Sequence, residues 1–213
     1  MLLPKLPEKL RDEMLESVVG NALEEDRDIE GCLFYGEDMP DISGETLEFS
    51  GCRFEKCGFH GSGSERLVFV DCVFTACDLS GMRFQRCTFQ RVSFQGCRMT
   101  GAQFSETPLL NVGLYDCQLD YASFGDLKAQ HVLFSNCVMK ESGFFRFRWQ
   151  DWILRACNLQ RAEIHETSMK GMDVSGCDIG GIIMDIPSVR GMKVTKNQAL
   201  ALSALLGLVI REE

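Results

Sequence analysis

Residues 67–104 read LVFVDCVFTACDLSGMRFQRCTFQRVSFQGCRMTGAQF. A large apolar residue returns at every fifth position: Phe69, Phe74, Leu79, Phe84, Phe89, Phe94, Met99 and Phe104. Two residues before most of these sits a small one, as at Cys72, Cys77, Cys87, Val92, Cys97 and Ala102. The remaining three positions of each repeat are largely Asp, Arg, Gln, Ser, Thr and Gly. A helix repeats every 3.6 residues and a strand alternates every two, so neither keeps a five-residue set on one side. A chain that turns a corner every five residues does. Each side then points one large and one small side chain inward.

The same phase runs outward from this stretch to Ile29 and to Val194. Of 34 consecutive positions only Gly44, Ser64 and Ala129 lack a large apolar residue, which makes the repeat one continuous element rather than a local motif. All eleven cysteines occupy the small inward position. From Cys57 they recur every 20 residues through Cys77, Cys97, Cys117, Cys137, Cys157 and Cys177, and Cys32, Cys52 and Cys72 keep the same interval. Twenty residues are four repeats, so each coil has four sides. Equivalent residues stack as in parallel pairing, about 4.8 Å apart, which favours ladders of like on like. Glycines such as Gly31, Gly51, Gly81 and Gly101 fall two residues after the large one, where a tight corner needs backbone freedom.

The segments CDLSG (77–81), CTFQR (87–91), ASFGD (122–126) and CNLQR (157–161) resemble the consensus of the pentapeptide-repeat family. The resemblance extends over Ile29–Val194. It implies an all-β solenoid, a right-handed quadrilateral β-helix of about eight coils and a rod about 40 Å long. The chain also resembles the Qnr- and MfpA-like members of the family. Those are acidic, rod-like dimers that mimic B-DNA, bind DNA gyrase or topoisomerase IV and protect it from quinolones.

Three regions are expected: an N-terminal cap over 1–27, the solenoid over 28–194, and a C-terminal element over 195–213. Pro7–Leu23 is read as an amphipathic helix or irregular cap with Leu10, Met14, Leu15 and Val18 inward, because an open solenoid end must be covered. Thr195 and Gln198 form a capping box and Gly207 stops the helix, with Leu208–Ile210 as a short strand. Leu200, Leu202, Leu205 and Leu206 spread too widely around that helix for one face, which points to a C-terminal homodimer. Asp41–Thr46 and His60–Arg66 are polar and read as local distortions rather than large insertions. Phe144, Phe147, Trp149 and Trp152 crowd one region, and Phe145 is out of phase and should point outward.

The net charge is −9, which disfavours binding to a phosphate backbone. The acidity is polarised: residues 1–78 carry 18 acidic and 7 basic side chains, the remainder 13 and 15. DNA mimicry would use carboxylates on the outward phases, with Asp71, Asp78, Asp116, Asp120 and Asp126 as candidates. The cysteines are expected to be reduced and metal-free, since CxxC pairs are absent and only three histidines exist. No nucleotide-binding or hydrolase motif occurs, a filled core leaves no substrate pocket, and no cofactor is expected. The start of the sequence has no apolar run long enough for a signal peptide, so a cytoplasmic location is expected. The sequence therefore reads as a non-enzymatic protein-binding scaffold, with DNA gyrase or topoisomerase IV as one partner and an unrelated protein as the alternative.

Overall fold

The computed structural model of the chain describes residues 1–42, 45–59, 64–209 and 211. Parallel strands stack into a β-solenoid of about eight turns. Counted in twenties from Arg27, coil one is 27–46, coil seven 147–166 and coil eight 167–186. Two sides of each coil merge into one sheet, in which Thr88–Gln95 pairs with Leu109–Tyr115, then with Lys128–Ser135, then with Arg148–Arg155. A third side forms a second sheet through Arg83–Gln85, Gln103–Ser105, Ser123–Gly125 and Gly143–Phe145. The fourth is held by single bridges from Asp38 to Gly58 and on to Asp178. The register is 20 residues throughout, so Phe54 lies over Phe74 and Phe74 over Phe94.

That register turns the five-residue period into ladders. Phe54 and Phe74 stack at 4.6 Å, Phe74 and Phe94 at 4.8 Å. On the opposite side Phe84, Phe104, Phe124 and Phe144 stack at 5.0 Å per step. Ring spacing equals coil spacing, so the core is filled at every level. Where Ala129 interrupts one ladder, the void is taken by aromatics in small positions. Phe147 and Trp152 meet at 4.6 Å and lie against Phe144 at 5.6 and 5.1 Å. Phe145 stays outside, 38% exposed.

Corner residues adopt left-handed backbone: Gly31 and Gly51 at φ 61°, and also Ala76 at 53°, Arg91 at 53° and Asp126 at 52°. Glycine is thus preferred at corners but not required, because the ladder bonds on both sides hold the strained residue in place. Two of the three positions that lack a large apolar residue, Gly44 and Ser64, fall in the polar stretches. Ser64 pairs in register with Phe84, so the repeat resumes there, whereas Ser43, Gly44 and His60–Gly63 lie outside the described residues.

The N-terminal region departs from the sequence reading. The helix α1 spans Leu15–Glu25, and its buried residues are Leu15, Val19 and Ala22. Met14, expected inward, is the extended N-cap residue and 68% exposed. Leu10 and Val18 are only half-buried. The reason is that the preceding chain is spent elsewhere. Arg11–Asp12 pair in parallel with Cys32–Leu33, and the Glu37 carboxylate accepts the Leu15 N–H at 2.7 Å, which sets where the helix starts. Residues 1–10 run along the outside of the solenoid. Pro7 rests on Gly31 and Gly51, Lys5 N–H donates to Asp71 Oδ1 at 2.9 Å, and Leu2 N–H donates to Asn111 Oδ1 at 2.7 Å.

At the other end, α2 (Ile186–Val189) interrupts the expected repeat, capped by the Asp185 side chain on Ser188 N–H. Its trigger is local: Pro187 sits early in the helix and cannot donate to a ladder. Helix α3 (Lys196–Ser203) has the capping box of Thr195 and Gln198, continues as a 3₁₀ turn over Ala204–Leu206 and stops at left-handed Gly207. The expected strand after it does not form: Leu208 and Val209 are exposed and lie outside any regular element, with Ile210 outside the described residues.

Candidate partner-binding surface

The 20-residue register that stacks the core also stacks the outside. A polar residue on one coil therefore meets the residue 20 positions later. Asp71 receives Arg91 in a bidentate pair, Nε to Oδ1 and Nη2 to Oδ2, both at 2.6 Å. Asp126 receives Arg146 the same way at 2.5 and 2.6 Å, and Arg146 in turn lies 4.1 Å over the Phe145 ring. Asp78 accepts from Arg98 Nη2 at 2.6 Å while its Oδ1 caps the Ser80 N–H at 3.0 Å. Glu141 and Arg161 face each other at 3.6 Å.

The five carboxylates singled out in the sequence thus fall into two groups. Asp71, Asp78 and Asp126 are outward but each is matched by an arginine one coil on. Asp120 accepts the Lys140 N–H at 3.2 Å, and Asp116 is exposed at a left-handed corner and makes no ion pair among the described residues. For Asp71, burial alone would raise the carboxyl, but the Arg91 guanidinium and the Lys5 N–H outweigh it and hold it below the usual range. The same balance of burial against Ser80 and Arg98 lowers Asp78.

Unmatched acidity gathers at the N-terminal end instead. Ile29–Glu30 pair with Phe49–Ser50, which brings Asp28, Glu30 and Glu48 onto one side of coils one and two. Burial, and then repulsion from Asp28 and Glu30, pushes the Glu48 carboxyl upward. Spacing of 20 would have revealed both the arginine pairs and this cluster, once the stacking interval was applied to the outer positions.

The cysteine column has a role that the sequence reading described only as small and apolar. All eleven cysteines are buried free thiols. Cys72 Sγ lies 3.3 Å from the carbonyls of both Phe49 and Val70, one coil back and two residues back, and Cys137 repeats this at 3.5 Å with Leu114 and Ser135. Thr107 fills the same position and donates its hydroxyl to Phe84 O at 2.9 Å and Ser105 O at 3.0 Å. Where the position holds Cys or Thr the side chain donates to the corner carbonyls, whereas Val92, Val112 and Val132, one to three coils on from Cys72, fill it by size alone. Burial, with a further contribution from neighbouring Cys52, pushes the Cys32 thiol up to about 11, and burial likewise raises Cys72, which favours the protonated thiol at both. Among the described residues no cluster of His, Cys, Asp or Glu is arranged to hold a metal ion. Among the described residues no helix is long and apolar enough to cross a membrane.

At the C-terminal end, Leu202 packs onto the chain's own core, 9% exposed, and Leu205 is half-buried against it. Leu200 and Leu206 are 48% and 59% exposed. Val189, Val194, Leu202, Leu205, Leu206 and Ile186 line an apolar groove of about 350 Å³ between α2 and α3.

These features define a filled, four-sided β-solenoid whose chemistry lies on its outer faces. The sequence profile of the pentapeptide repeat region matches residues 47–124, 67–144 and 87–169, more than half of the chain, and the chain belongs to that family. No protein of curated function matches it. Among solved structures, a trypsin-treated form of QnrB1, a plasmid-mediated fluoroquinolone resistance protein, is 20% identical, with 87% of this chain and 92% of that one covered and a TM-score of 0.44. HetL, a pentapeptide repeat protein involved in heterocyst differentiation regulation in the cyanobacterium Nostoc, is 11% identical, with 82% and 92% covered and a TM-score of 0.39.

Proposed function

We propose that this chain is a non-enzymatic scaffold that binds a protein partner through its outer carboxylates, acting in the cytoplasm as a homodimer joined at the C-terminal ends. The observation that carries it is the acidity of the N-terminal end around Asp28, Glu30 and Glu48, which make no salt bridge among the described residues. A basic protein surface is the complement of such a patch. DNA gyrase or topoisomerase IV is the partner that the Qnr-like resemblance nominates, with an unrelated basic protein as the second reading. Asp116 and Asp120 are the outward aspartates without an arginine partner that extend the acidic field along the rod. Asp71, Asp78 and Asp126 contribute to binding only to the extent that a partner competes with Arg91, Arg98 and Arg146. The arginine matching favours the broader scaffold reading, since a neutralised carboxylate is a poor phosphate mimic.

Gyrase supercoiling with and without quinolone, at low and moderate salt, separates the two partners. Inhibition or protection that weakens with salt supports topoisomerase binding. Gyrase that ignores the protein at low salt removes that partner. The dimer is tested by light scattering on the full chain and on a chain ending at Val194. The exposed Leu200 and Leu206 beside the α2–α3 groove support a second copy there. A full chain already monomeric at micromolar concentration refutes it.

A further inference from the structure

One corner of the rod is covered over part of its length. The corner that runs through Gly36, Ala76, Asp116, Ala156 and Gly176 is exposed on every coil. The corner five residues earlier is exposed at Asp151, Gly171 and Gly191, but half-buried or buried at Gly31, Gly51, Asp71, Arg91 and Asn111. Asn111 is 7% exposed although its corner position faces outward. The chain's own residues 1–10 lie over this stretch. Pro7 sits on the two glycine corners, with its Cδ 3.2 Å from where a Cβ would stand at Gly51 and its Cγ 3.5 Å from the same point at Gly31. Lys5 N–H reaches the Asp71 carboxylate and Leu2 N–H the Asn111 amide oxygen.

The spacing shows how the segment is read. Leu2 and Lys5 are three residues apart, and their acceptors are two coils apart. Three extended residues cover about 10 Å and two coils rise about 9.6 Å, so an extended chain laid along the rod brings an amide to each acceptor in step. Both contacts are made to backbone N–H groups, which any extended non-proline residue supplies. Arg91 holds the Asp71 carboxylate in place from the other side through its bidentate pair. The glycines leave a flat seat for a proline ring. Corner column 31–111 is therefore a track for extended backbone, with its acceptors already oriented.

The segment in the track is lightly held. None of residues 1–10 is buried, and Leu2 and Leu3 are 60% and 65% exposed. Among the described residues these ten make no backbone–backbone hydrogen bond, the first being Arg11 N–H to Gly31 O at 2.8 Å. A cleft of about 630 Å³ remains between the segment and Glu30, Ser50, Gly51 and Asp71. Arg11–Asp12, paired with Cys32–Leu33, is thus the fixed end of a strap whose remainder hangs on two side-chain acceptors. The charge around the track has one sign. Asp71 and Arg91 neutralise each other, which leaves Glu30 beside Gly31, and Asp28 and Glu48 on the same side of coils one and two. The strap brings Lys5 and Lys9 to that end.

We propose that residues 1–10 are a releasable strap that stands in for a partner, and that the track beneath it is a docking site for an extended, basic, proline-bearing segment of a protein partner. The partner segment and the strap compete for Asp71, Asn111 and the glycine seat, so the free protein is self-blocked. This rests on the reading of the chain as a protein-binding scaffold and names the contact at its acidic end.

The first test is amide exchange by NMR on the full chain. Leu2 and Lys5 amides should exchange more slowly than in a free peptide but much faster than the ladder amides of Asp71 and Asn136. Free-peptide rates would mean no strap, and ladder-like rates would mean no release; either overturns the proposal. The second test uses a fluorescein-labelled peptide of residues 1–10, MLLPKLPEKL, as the probe. The full-length double variant Leu2→Pro/Lys5→Pro lacks both donor N–H groups and leaves the track untouched. It should bind the peptide at least tenfold more tightly than the parent, whose track is open only a fraction of the time. The same peptide with prolines at positions 2 and 5, or with glutamates in place of both lysines, should bind tenfold or more weakly. Adding Gly51→Asn should abolish binding without unfolding, because Asp71 and Asn111 already occupy this corner in left-handed backbone while a side chain at Gly51 displaces the proline. A peptide that binds the double variant no better than the parent, or is indifferent to Gly51→Asn, refutes the site. Loss of the solenoid's circular dichroism in the double variant would make the segment a structural part of the fold and refute the strap. Self-association of the parent that the double variant lacks would assign the track to the strap of a second copy and refute the partner segment. No readout here involves gyrase, so this proposal and the topoisomerase reading fail separately.

Discussion

Replacing Asp71 by Asn tests whether the outer polar ladder holds the coils together. The substitution keeps the shape of the side chain and leaves Lys5 N–H an oxygen to donate to, but it removes the charge facing Arg91. Both side chains are largely covered, at 13% and 20% residual exposure, and joined by two bonds of 2.6 Å. A hydrogen bond to a charged group contributes roughly 1.5–3 kcal/mol, and the water still reaching the edge of the pair places the loss near the lower end, about 2 kcal/mol. For a chain of this size that is a fall in Tm of about 4–8 °C. Asp126→Asn provides the control. Its pair with Arg146 has the same bidentate geometry and the same register, but both side chains are nearly half exposed, 44% and 46%, so Tm should hardly move. Thermal unfolding by circular dichroism reads both. The pH dependence has a defined sign. Because the Asp71 carboxyl is held below its unfolded value, its contribution is fully present above about pH 4 and is lost as pH falls through the depressed folded value. The difference between parent and Asp71→Asn should be constant from neutral pH to about pH 4 and shrink below that. If Asp71→Asn and Asp126→Asn behave alike, burial does not set the strength of these pairs and the reasoning fails.

Phe89 is fully buried and stacked on Phe69 at 5.2 Å, so Phe89→Ala should cost about 3–5 kcal/mol, and Phe89→Asp should unfold or truncate the solenoid; a folded Phe89→Asp protein by circular dichroism would remove the inward assignment. In the thiol column, Cys117 donates to Phe94 O at 3.6 Å and Tyr115 O at 3.3 Å, so Cys117→Ala should lose about 1 kcal/mol in urea unfolding while Cys117→Thr, as Thr107 does naturally, should lose less; the reverse order would show that size alone governs the column. Ala76 is exposed at φ 53°, and Ala76→Gly should raise stability by about 0.5 kcal/mol by relieving left-handed strain, with no gain in Tm counting against strain at the corners.

The period of five and the cysteine interval of 20 were enough to assign the solenoid, its four sides and the inward residues, because every coil obeys the same local rule and contacts only its neighbours. The capping box of Thr195 and Gln198 and the outward Phe145 were equally readable, since each depends on residues close in sequence. What the sequence by itself did not determine lies wherever two coils meet through specific side chains. Whether Asp71 is a free carboxylate depends on Arg91, 20 residues away, and on the N-terminal segment that crosses over both. Met14 was expected inward from helical spacing alone, but the register of Arg11–Asp12 on Cys32–Leu33 and the Glu37 cap decided where the helix begins. Trp152 is the clearest case. A tryptophan in a small column is visible in the sequence, but that it packs on Phe144 and Phe147 at the last strand of the larger sheet is decided by the stacking of coils. Local period sets which side chains point inward; the sum of their volumes across neighbouring coils sets where the stack stays closed.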